Sequence, residues 1–498
     1  MSFSIRSISI LIQLVLALHM GAAVIHGQAP DMAGERIVLY TYADQVSELL
    51  EKQDETVVDS DGNFKLTADI SSIRLARLTV DFTMAHLYLE PDGSYVIEYP
   101  APPTDAPRRF GKEAETEVIF TDLSPDDINS DIIDFNVNYD LFFQKNYELL
   151  RRLFSPRDQA VQSDSNAVRT LQGIHPSRLL FNKVKAFRST MDSIYAEGDD
   201  PYFALYRNAV IGQLMLNGNS DLTPRQFFQE FIEPHPVAIH HPEHIALLRE
   251  FYKYYLVKNT DSFGEEKLDS AININGSYTE LSAIMEADDF VARTPLRELV
   301  MCLALEEIWN GSLNRTMGIQ ILEHIAEQGA SEESRTIARN LIAKLSSRAE
   351  GLPIMDFEFT DQFNEVHRIS DLKGRPILIG FDATWCTRCK EEQATLQTFL
   401  GEYARDIHHI QFLIHDGPEP RDDRPLLRSS LQATEDIYSP LIRQLGIVNL
   451  PFFILVDENG VVVKDQIPLP SEGLEAQLHR ITTEDPVTRS RPIGSKEN

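Results

Sequence analysis

The sequence predicts a multidomain protein with an N-terminal small β-sandwich, a helical middle region and a C-terminal α/β domain. A chain of 498 residues is long enough for about three domains of ordinary size. Short β-rich runs between turn signals dominate the first part, and helical periodicity replaces them in the middle. Strands then alternate with helices, which is typical of an α/β sheet. The expected boundaries are 28–125 for the β-sandwich, 126–350 for the helical region and 351–482 for the α/β domain.

Residues 1–27 have the pattern of a secretory signal peptide. Arg6 precedes an apolar stretch at residues 8–18, and small residues follow in the usual cleavage window. The stretch is shorter than the ~20 residues that a membrane span needs, which favours cleavage over an uncleaved anchor. We expect cleavage between Ala23 and Ala29, and a mature protein that is soluble outside the cytoplasm.

The net charge and the number of cysteines argue against a nucleic-acid-binding protein and against a disulfide-stapled scaffold. The chain has 76 acidic and 46 basic residues, which gives a formal net charge of −30. A surface that negative repels phosphate backbones and anionic lipids, so nucleic acid is not an expected partner. The 3 cysteines are too few for a disulfide-stapled scaffold, and they make any close pair chemically conspicuous.

The β-rich first region carries turn signals at residues 60–63 and 91–94. A Pro-rich stretch at residues 100–103 closes it as an expected edge or linker. The spacing of the runs fits a small β-sandwich. Strands are expected at residues 37–42, 64–66, 78–82, 87–89 and 95–99.

In the middle region, apolar residues recur at helical spacing. One stripe consists of Ala338, Leu341, Ile342 and Leu345, and it can pack against a core. Cys302 lies in an apolar helix and is expected to be a small buried hydrophobic residue. Helices are expected at residues 139–153, 245–256, 295–309 and 334–345.

Four histidines, His235, His240, His241 and His244, crowd a stretch that prolines interrupt. Their spacing matches no recurring ligand pattern, so a metal site is the weaker interpretation. The prolines favour a surface loop between helices.

The α/β region begins near Gly351 and is followed by a loose polar tail at residues 483–498. Strands are expected at residues 377–381, 410–414, 452–456 and 461–463, and helices at residues 386–403, 437–445 and 472–481.

The candidate reactive residues are Cys386 and Cys389, which lie where the first of these strands leads into a helix. Unpaired N–H groups and the helix dipole stabilise a thiolate there, and Arg388 and Lys390 add positive charge. The second cysteine comes about one turn later, close enough to form a disulfide with the first. Zinc is the competing use of such a pair, but the sequence has no second pair or histidines at suitable spacing.

The α/β region resembles the thioredoxin superfamily, in particular the TlpA/ResA-type envelope thiol-disulfide oxidoreductases. The resemblance implies a thioredoxin-like fold, in which Cys386 attacks a partner and Cys389 resolves the mixed disulfide. It also implies that Pro451 lies in a cis-proline loop beside this redox-active disulfide, with Trp385, Leu450 and Pro451 at substrate-binding positions. The matching segments are residues 353–357, 372–381, 383–386, 446–451 and 453–460.

The chain departs from thioredoxins at Gly380, where those proteins carry a buried acid. The TlpA/ResA-type pattern has a glutamate three residues after the second cysteine, and Glu392 matches it. Asp382 is the second candidate for proton transfer. Either carboxylate is alternatively a solvated surface charge.

The order of the three regions also resembles multidomain proteins of Bacteroidota, in which a small β-domain precedes a redox module. This resemblance is carried by residues 37–40, 58–64 and 87–91. It implies an envelope setting and assigns no activity to the first 350 residues.

Together these features predict an exported thiol-disulfide oxidoreductase of the periplasm or cell envelope that acts on protein thiols or disulfides. The expected partners include an unidentified electron donor or acceptor, such as a membrane thiol relay. No cofactor and no metal are expected. The alternative is an envelope binding or scaffold protein whose thioredoxin-like module recognises polypeptide with little redox turnover. The dipeptide Thr387-Arg388 does not indicate the direction of electron flow.

Overall fold

The computed structural model describes residues 21–101, 110–154, 176–196, 200–217, 222–311, 313–415 and 430–483. It is multidomain and contains several sheets and many helices, as predicted. The predicted tail beyond residue 483, the apolar stretch at residues 8–18 and Pro102-Pro103 lie outside the described residues. No helix in the described part of the chain is both long enough and apolar enough to cross a bilayer.

Two sheets, of four and five strands, form the N-terminal part of the protein. The first has the order β4-β1-β7-β9 and the second the order β3-β2-β5-β6-β8. Most neighbouring strands are antiparallel, but β1 with β7 and β6 with β8 are parallel. The strands are β1 (Gly21–Gln28), β2 (Arg36–Tyr42), β3 (Leu50–Val57), β4 (Asn63–Ile70), β5 (Arg74–Val80), β6 (Thr83–Leu89), β7 (Ser94–Glu98), β8 (Ala114–Glu115) and β9 (Ile119–Asp122).

Alternation along the strands creates the core between these sheets. In β4 every second residue is buried and the others are exposed, because successive side chains point to opposite faces of a sheet. Ile25 and Tyr95 from the first sheet, and Leu39 and Leu78 from the second, belong to one hydrophobic cluster. The two sheets therefore bury their apolar faces against a shared core.

Strand β1 occupies residues that we predicted to be removed with a signal peptide. It pairs with β4 on one side and with β7 on the other, and Ala23 and Ile25 are fully buried. The described part of the first sheet thus already includes Gly21, which lies before the predicted boundary at residue 28. Cleavage between Ala23 and Ala29 would remove at least residues 21–23 and at most the whole of the strand that joins β4 to β7. Small apolar residues suit a cleavage window and an inner strand equally well, so the sequence pattern did not separate them.

We predict that Ile25→Ala lowers the free energy of unfolding of the exported protein by about 2–5 kcal/mol, because it leaves a cavity in the core. His26→Ala is the matched control, since His26 is exposed on the opposite face of the same strand. Urea unfolding of both variants, purified from the envelope fraction of an expression host, measures the difference. Equal stability of the two variants would mean that β1 is absent from the mature chain.

The helical region starts at Ile128 and packs into one extended hydrophobic cluster. The predicted stripe is confirmed as a packing face, since Ala338 and Leu341 are fully buried while Ile342 and Leu345 pack partly against the cluster. The helices are α1 (Ile128–Lys145), α2 (Tyr147–Phe154), α3 (Pro176–Ile194), α4 (Pro201–Asn217), α5 (Pro224–Phe231), α6 (Pro242–Phe251), α7 (Tyr255–Lys258), α8 (Thr260–Phe263), α9 (Glu265–Asp269), α10 (Tyr278–Met285), α11 (Thr294–Ile308), α12 (Arg315–Gln328) and α13 (Glu332–Ser346).

Two helices that were predicted as continuous are interrupted. Asn146 separates α1 from α2, and its side-chain amide donates to the Phe142 carbonyl at 2.8 Å. Such a side-chain bond to the backbone competes with helix continuation. Tyr254, between α6 and α7, has a φ of 57°, a left-handed conformation that breaks a right-handed helix.

The C-terminal domain is built on a five-stranded mixed sheet of order β14-β13-β12-β15-β16, beside a short hairpin of β10 and β11. Strand β12 is parallel to β13 and antiparallel to β15. The polar edge strand β14 was not predicted, because its sequence lacks an apolar run. The elements are β10 (Glu358–Thr360), β11 (Val366–Arg368), β12 (Ile377–Ala383), α14 (Thr387–Phe399), β13 (His408–His415), β14 (Ser430–Asp436), α15 (Pro440–Gln444), β15 (Phe452–Val456), β16 (Val462–Lys464) and α16 (Leu474–Thr483).

Different elements cover the two faces of this sheet. On one face, Leu378 and Phe453 share a hydrophobic cluster with residues of α14 and α16. On the other face, Ile379 and Phe381 share a cluster with Ile442 of α15. Val38 and Tyr40 of β2 belong to this second cluster. An N-terminal strand therefore contributes to the hydrophobic core of the C-terminal domain.

Candidate redox site

The central strand of the C-terminal sheet positions the two cysteines. All seven residues of β12 are buried, and the strand leads through Thr384 and Trp385 to the start of α14. Cys386 is the N-cap of α14, and its sulfur accepts a hydrogen bond from the backbone N–H of Cys389 at 3.1 Å. Hydrogen bonds from helix N-terminal amides and the positive end of the dipole favour a negatively charged sulfur there.

Cys386 and Cys389 form a disulfide, with a Cα–Cα distance of 5.2 Å. Their exposure differs, because Cys386 is half-buried whereas only 1% of Cys389 is accessible to solvent. An external thiol or disulfide therefore reaches Cys386 before Cys389. The geometry can support thiol-disulfide exchange in which the two sulfurs have different roles.

The Leu450–Pro451 peptide bond is cis and lies at the same end of the sheet. Phe381 of β12 pairs with Phe452 of β15 in an antiparallel register, so Pro451 lies beside the segment that leads to the cysteines. Cys386 and Leu450 both pack against the hydrophobic cluster on this side of the sheet. Trp385 is 37% exposed. Trp385, Leu450 and Pro451 thus lie at the same end of the sheet as the disulfide.

No family model matches the chain, but individual relatives do. The chain is 25% identical over 133 residues to the thiol-disulfide oxidoreductase ResA of Geobacillus thermodenitrificans, a match that covers 26% of this chain and 75% of ResA. It is 27% identical over 122 residues to the thiol:disulfide interchange protein DsbE of Pseudomonas aeruginosa, covering 24% of this chain and 67% of DsbE. A crystal structure of a candidate thiol-disulfide oxidoreductase from Bacteroides vulgatus is 26% identical, covers 27% of this chain and 99% of its own, and has a TM-score of 0.23.

The protein contains a thioredoxin-superfamily domain of the TlpA/ResA type. Its relatives are thiol-disulfide oxidoreductases, and the chain is a thioredoxin-like oxidoreductase on that ground. The matches cover about a quarter of the chain. They leave the two N-terminal sheets and the helical region without an assigned activity.

In this thioredoxin-like domain, the space beside Gly380 is filled by other residues. A Cβ atom at position 380 would lie 2.5 Å from Oε1 of Gln411 and 2.8 Å from the ring of Phe453. Gln411 is itself buried. A carboxylate side chain therefore does not fit at position 380 without rearrangement, and proton transfer has to involve another group.

Glu392 is buried on α14, with 5% of its surface exposed. Its Oε2 accepts the backbone N–H of Ser471 at 2.9 Å, and its Oε1 accepts the Ser471 hydroxyl at 2.6 Å. The carboxylate therefore connects α14 to the short helical turn Pro470–Glu472. Asp382 is also buried, so the alternative of a solvated surface charge is wrong for both residues.

The positive charge predicted beside the cysteines is partly neutralised. Nη2 of Arg388 lies 2.8 Å from a carboxylate oxygen of Glu472, and Nε lies 3.9 Å from Oε1 of Glu392. Lys390 is exposed. The helix N-terminus is therefore the better supported source of thiolate stabilisation.

Residues of the N-terminal sheets reach this site, which sequence analysis did not anticipate. Phe82, in the turn between β5 and β6, makes an edge-to-face contact with Trp385 at a ring-centroid distance of 6.2 Å. Arg36 of β2 pairs with Asp436 at the end of β14. The Tyr438 hydroxyl donates to the carbonyl of Asp81 at 3.3 Å. No local sequence signal reports such contacts, because the partners are far apart in the chain.

The predicted loop between helices is present, since His235 and His240 lie half-buried in the segment between α5 and α6, but the prediction of a surface position is wrong for the other two histidines. His241 and His244 are buried, and His241 caps α6 by accepting the backbone N–H of His244 at 3.3 Å. Burial lowers the pKa of His241 to about 4 and that of His244 to about 3, so both are neutral at physiological pH. Cys302 is fully buried, as predicted, and burial raises the pKa of its thiol.

Within the described ranges, one cluster has donor atoms close enough to share a metal ion: Asp361, Glu365 and His367 in the β10–β11 hairpin. Asp361 accepts the backbone N–H groups of Phe363 and Glu365 and contacts Nε2 of His367 at 2.9 Å. These bonds account for the arrangement as a hydrogen-bonded turn.

We predict that Glu392→Gln slows the resolving attack of Cys389 by about 10²-fold, because a positioned base commonly contributes at least that much to proton transfer. It should also move the midpoint of thiol alkylation to lower pH, since a neighbouring negative charge disfavours the thiolate. Stopped-flow measurement of resolution and alkylation rates across pH tests both effects.

Ser471→Ala is the matched control for Glu392→Gln. It removes one hydrogen bond to the carboxylate but keeps the carboxylate itself. If both variants slow resolution equally and neither changes the pH profile, Glu392 holds α14 in place and carries no proton.

Proposed function

We propose that the protein is an exported thiol-disulfide oxidoreductase that exchanges electrons with protein thiols or disulfides in the cell envelope. The observation that carries this proposal is the disulfide at the N-terminus of α14, with Cys386 accessible and Cys389 buried. A pair arranged in this way can store two electrons and release them by exchange with a partner.

In the reducing direction, the Cys386 thiolate attacks a substrate disulfide. A Cys386–substrate disulfide forms, the substrate S–S bond breaks, and one substrate sulfur leaves as a thiolate. Cys389 then loses its proton and attacks the Cys386 sulfur, which releases the second substrate thiol and restores the Cys386–Cys389 disulfide. The substrate gains two electrons and the protein loses two. An envelope thiol donor returns the protein to the dithiol, and the same steps in reverse oxidise a substrate.

Trp385, Leu450 and Pro451 hold the substrate in this proposal. Proline has no N–H, so the loop before β15 leaves a backbone edge available to an extended polypeptide. The partly exposed indole of Trp385 offers an apolar surface beside Cys386. Glu392 is the proposed proton carrier for Cys389. Neither a cofactor nor a metal takes part.

The proposed location is the periplasm or cell envelope, and the sequence pattern of residues 1–27 supports export. Burial of β1 in the first sheet favours a cleavage site before Gly21. We further propose that the two N-terminal sheets form a β-sandwich domain, since their inner faces share one core. The helical region then connects this domain to the redox domain.

We predict that Cys389→Ser accumulates mixed disulfides through Cys386, while Cys386→Ser does not. Without Cys389 the covalent intermediate has no internal route to release. Non-reducing gels and mass spectrometry of both variants, after incubation with envelope extract, detect the adducts. Cys302→Ser is the control, because that thiol is fully buried and its replacement should leave trapping unchanged.

Equal trapping by Cys386→Ser and Cys389→Ser would contradict the assignment of roles. If the unmodified protein also fails to accelerate insulin reduction by dithiothreitol, the binding or scaffold alternative replaces the oxidoreductase.

A further inference from the structure

A cavity of about 410 Å³ lies between the second N-terminal sheet and the redox domain. We call it the interdomain cavity. Phe82 lines it and also contacts Trp385, so the cavity adjoins the disulfide site. The two domains meet closely at its edge, because a Cβ atom at Gly111 would lie 2.4 Å from the Val448 carbonyl oxygen. The cavity is lined by aromatic, apolar and charged side chains, among them Tyr40, Leu50, Phe82, Phe110, Arg443 and Val448.

Two polar groups of the cavity wall have no hydrogen-bond partner within the described residues. Tyr40 is 2% exposed, and its hydroxyl has no hydrogen bond within the described residues. Nε of Arg443 is likewise buried and unpaired there, and the Arg443 guanidinium carbon lies 4.2 Å from the centroid of the Tyr40 ring. Buried polar groups are nearly always hydrogen-bonded, so two unpaired ones in a single cavity mark a place where a polar group can bind.

Both groups are hydrogen-bond donors. Burial raises the pKa of Tyr40, so its hydroxyl keeps its proton at physiological pH. Burial lowers the pKa of Arg443, but a guanidinium stays charged under these conditions. The other two cations beside the cavity are paired, since Arg77 lies 3.0 Å from Glu113 and Lys52 lies 2.8 Å from Glu55, and the acidic residues Glu48 and Asp81 also line the cavity. Arg443 therefore presents a positive charge beside the neutral Tyr40 hydroxyl. An anionic oxygen can accept hydrogen bonds from both groups.

We propose that the interdomain cavity is a subsite for an acidic side chain of the polypeptide substrate whose cysteine reacts at Cys386. Arg443 and Tyr40 hold the carboxylate, while Leu50, Phe82, Phe110 and Val448 contact its methylene groups and the neighbouring residues. The inference rests on the proposed oxidoreductase function and adds a substrate preference to it.

Two further observations favour a substrate segment as the occupant. Phe82 lines the cavity and contacts Trp385, the neighbour of Cys386, so a chain that reacts at Cys386 can extend towards the cavity. The formal net charge of the chain is −30, which repels acidic polypeptides in general. The Arg443 guanidinium, whose Nε is unpaired within the described residues, is a local exception to that charge and selects for an acidic residue at one position of the substrate.

The test uses C-terminally amidated peptides with one cysteine, joined by a disulfide to 2-nitro-5-thiobenzoate. A single glutamate is placed at successive positions on either side of the cysteine, and each peptide has a glutamine twin. The pre-reduced full-length protein attacks the peptide sulfur and releases the coloured thiolate, so absorbance reports the second-order rate constant of this single turnover. At one position the glutamate peptide should react about ten-fold faster than its twin, the gain expected from charge-assisted hydrogen bonds.

Arg443→Met should abolish this preference, because it slows the glutamate peptide more than the glutamine twin. Tyr40→Phe, which removes only a hydroxyl, should reduce the preference, and Arg443→Lys should partly restore it. Arg480→Met on α16 is the matched control and should keep the full preference. Tyr40→Phe also tests the subsite if Arg443→Met fails to fold.

Equal rates for every glutamate and glutamine pair in the unmodified protein would overturn the subsite while leaving the oxidoreductase intact. A preference that survives both Arg443→Met and Tyr40→Phe would overturn it as well. If no peptide reacts, and 5,5′-dithiobis(2-nitrobenzoate) does not react with Cys386 either, the proposed function fails together with the subsite.

Discussion

The complete burial of strand β12 fixes the position of the redox site. The strand pairs with β13 on one side and with β15 on the other, and its side chains enter the clusters on both faces of the sheet. Its end delivers Cys386 to the first turn of α14, while the register with β15 brings the cis Leu450–Pro451 bond alongside. Cys386 and Cys389 differ in exposure because of this placement. Cys386 caps the helix, whereas Cys389 is buried in its first turn.

The face of β12 that carries Ile379 and Phe381 connects the redox domain to the rest of the protein. Val38 and Tyr40 from β2 pack into its hydrophobic cluster, and Arg348, which follows α13, donates to the Leu445 carbonyl and lies over the ring of Phe452. The redox domain is therefore covered on this face by both preceding regions. Such contacts give the N-terminal sheets a means of influencing what reaches the disulfide.

Local sequence patterns predicted the features that depend on neighbouring residues. The local sequence was sufficient to predict the two cysteines at a strand-to-helix junction, the apolar run of β15 and the helical stripe of α13. Strand β1 could not, because its small apolar residues also suit a signal-peptide cleavage window. The break at Asn146 depends on one side-chain bond to the backbone, which periodicity does not show. The contact between Phe82 and Trp385 joins distant parts of the chain and has no local signature.

The central claim is that Cys386 and Cys389 cycle between dithiol and disulfide in the folded protein. A redox titration of the full-length chain in dithiothreitol buffers, with the thiol state of each cysteine read by differential alkylation and mass spectrometry, tests it most directly. We predict that both thiols appear together along a two-electron curve while Cys302 stays unlabelled and circular dichroism is unchanged. A pair that stays oxidised until the protein unfolds would contradict the account.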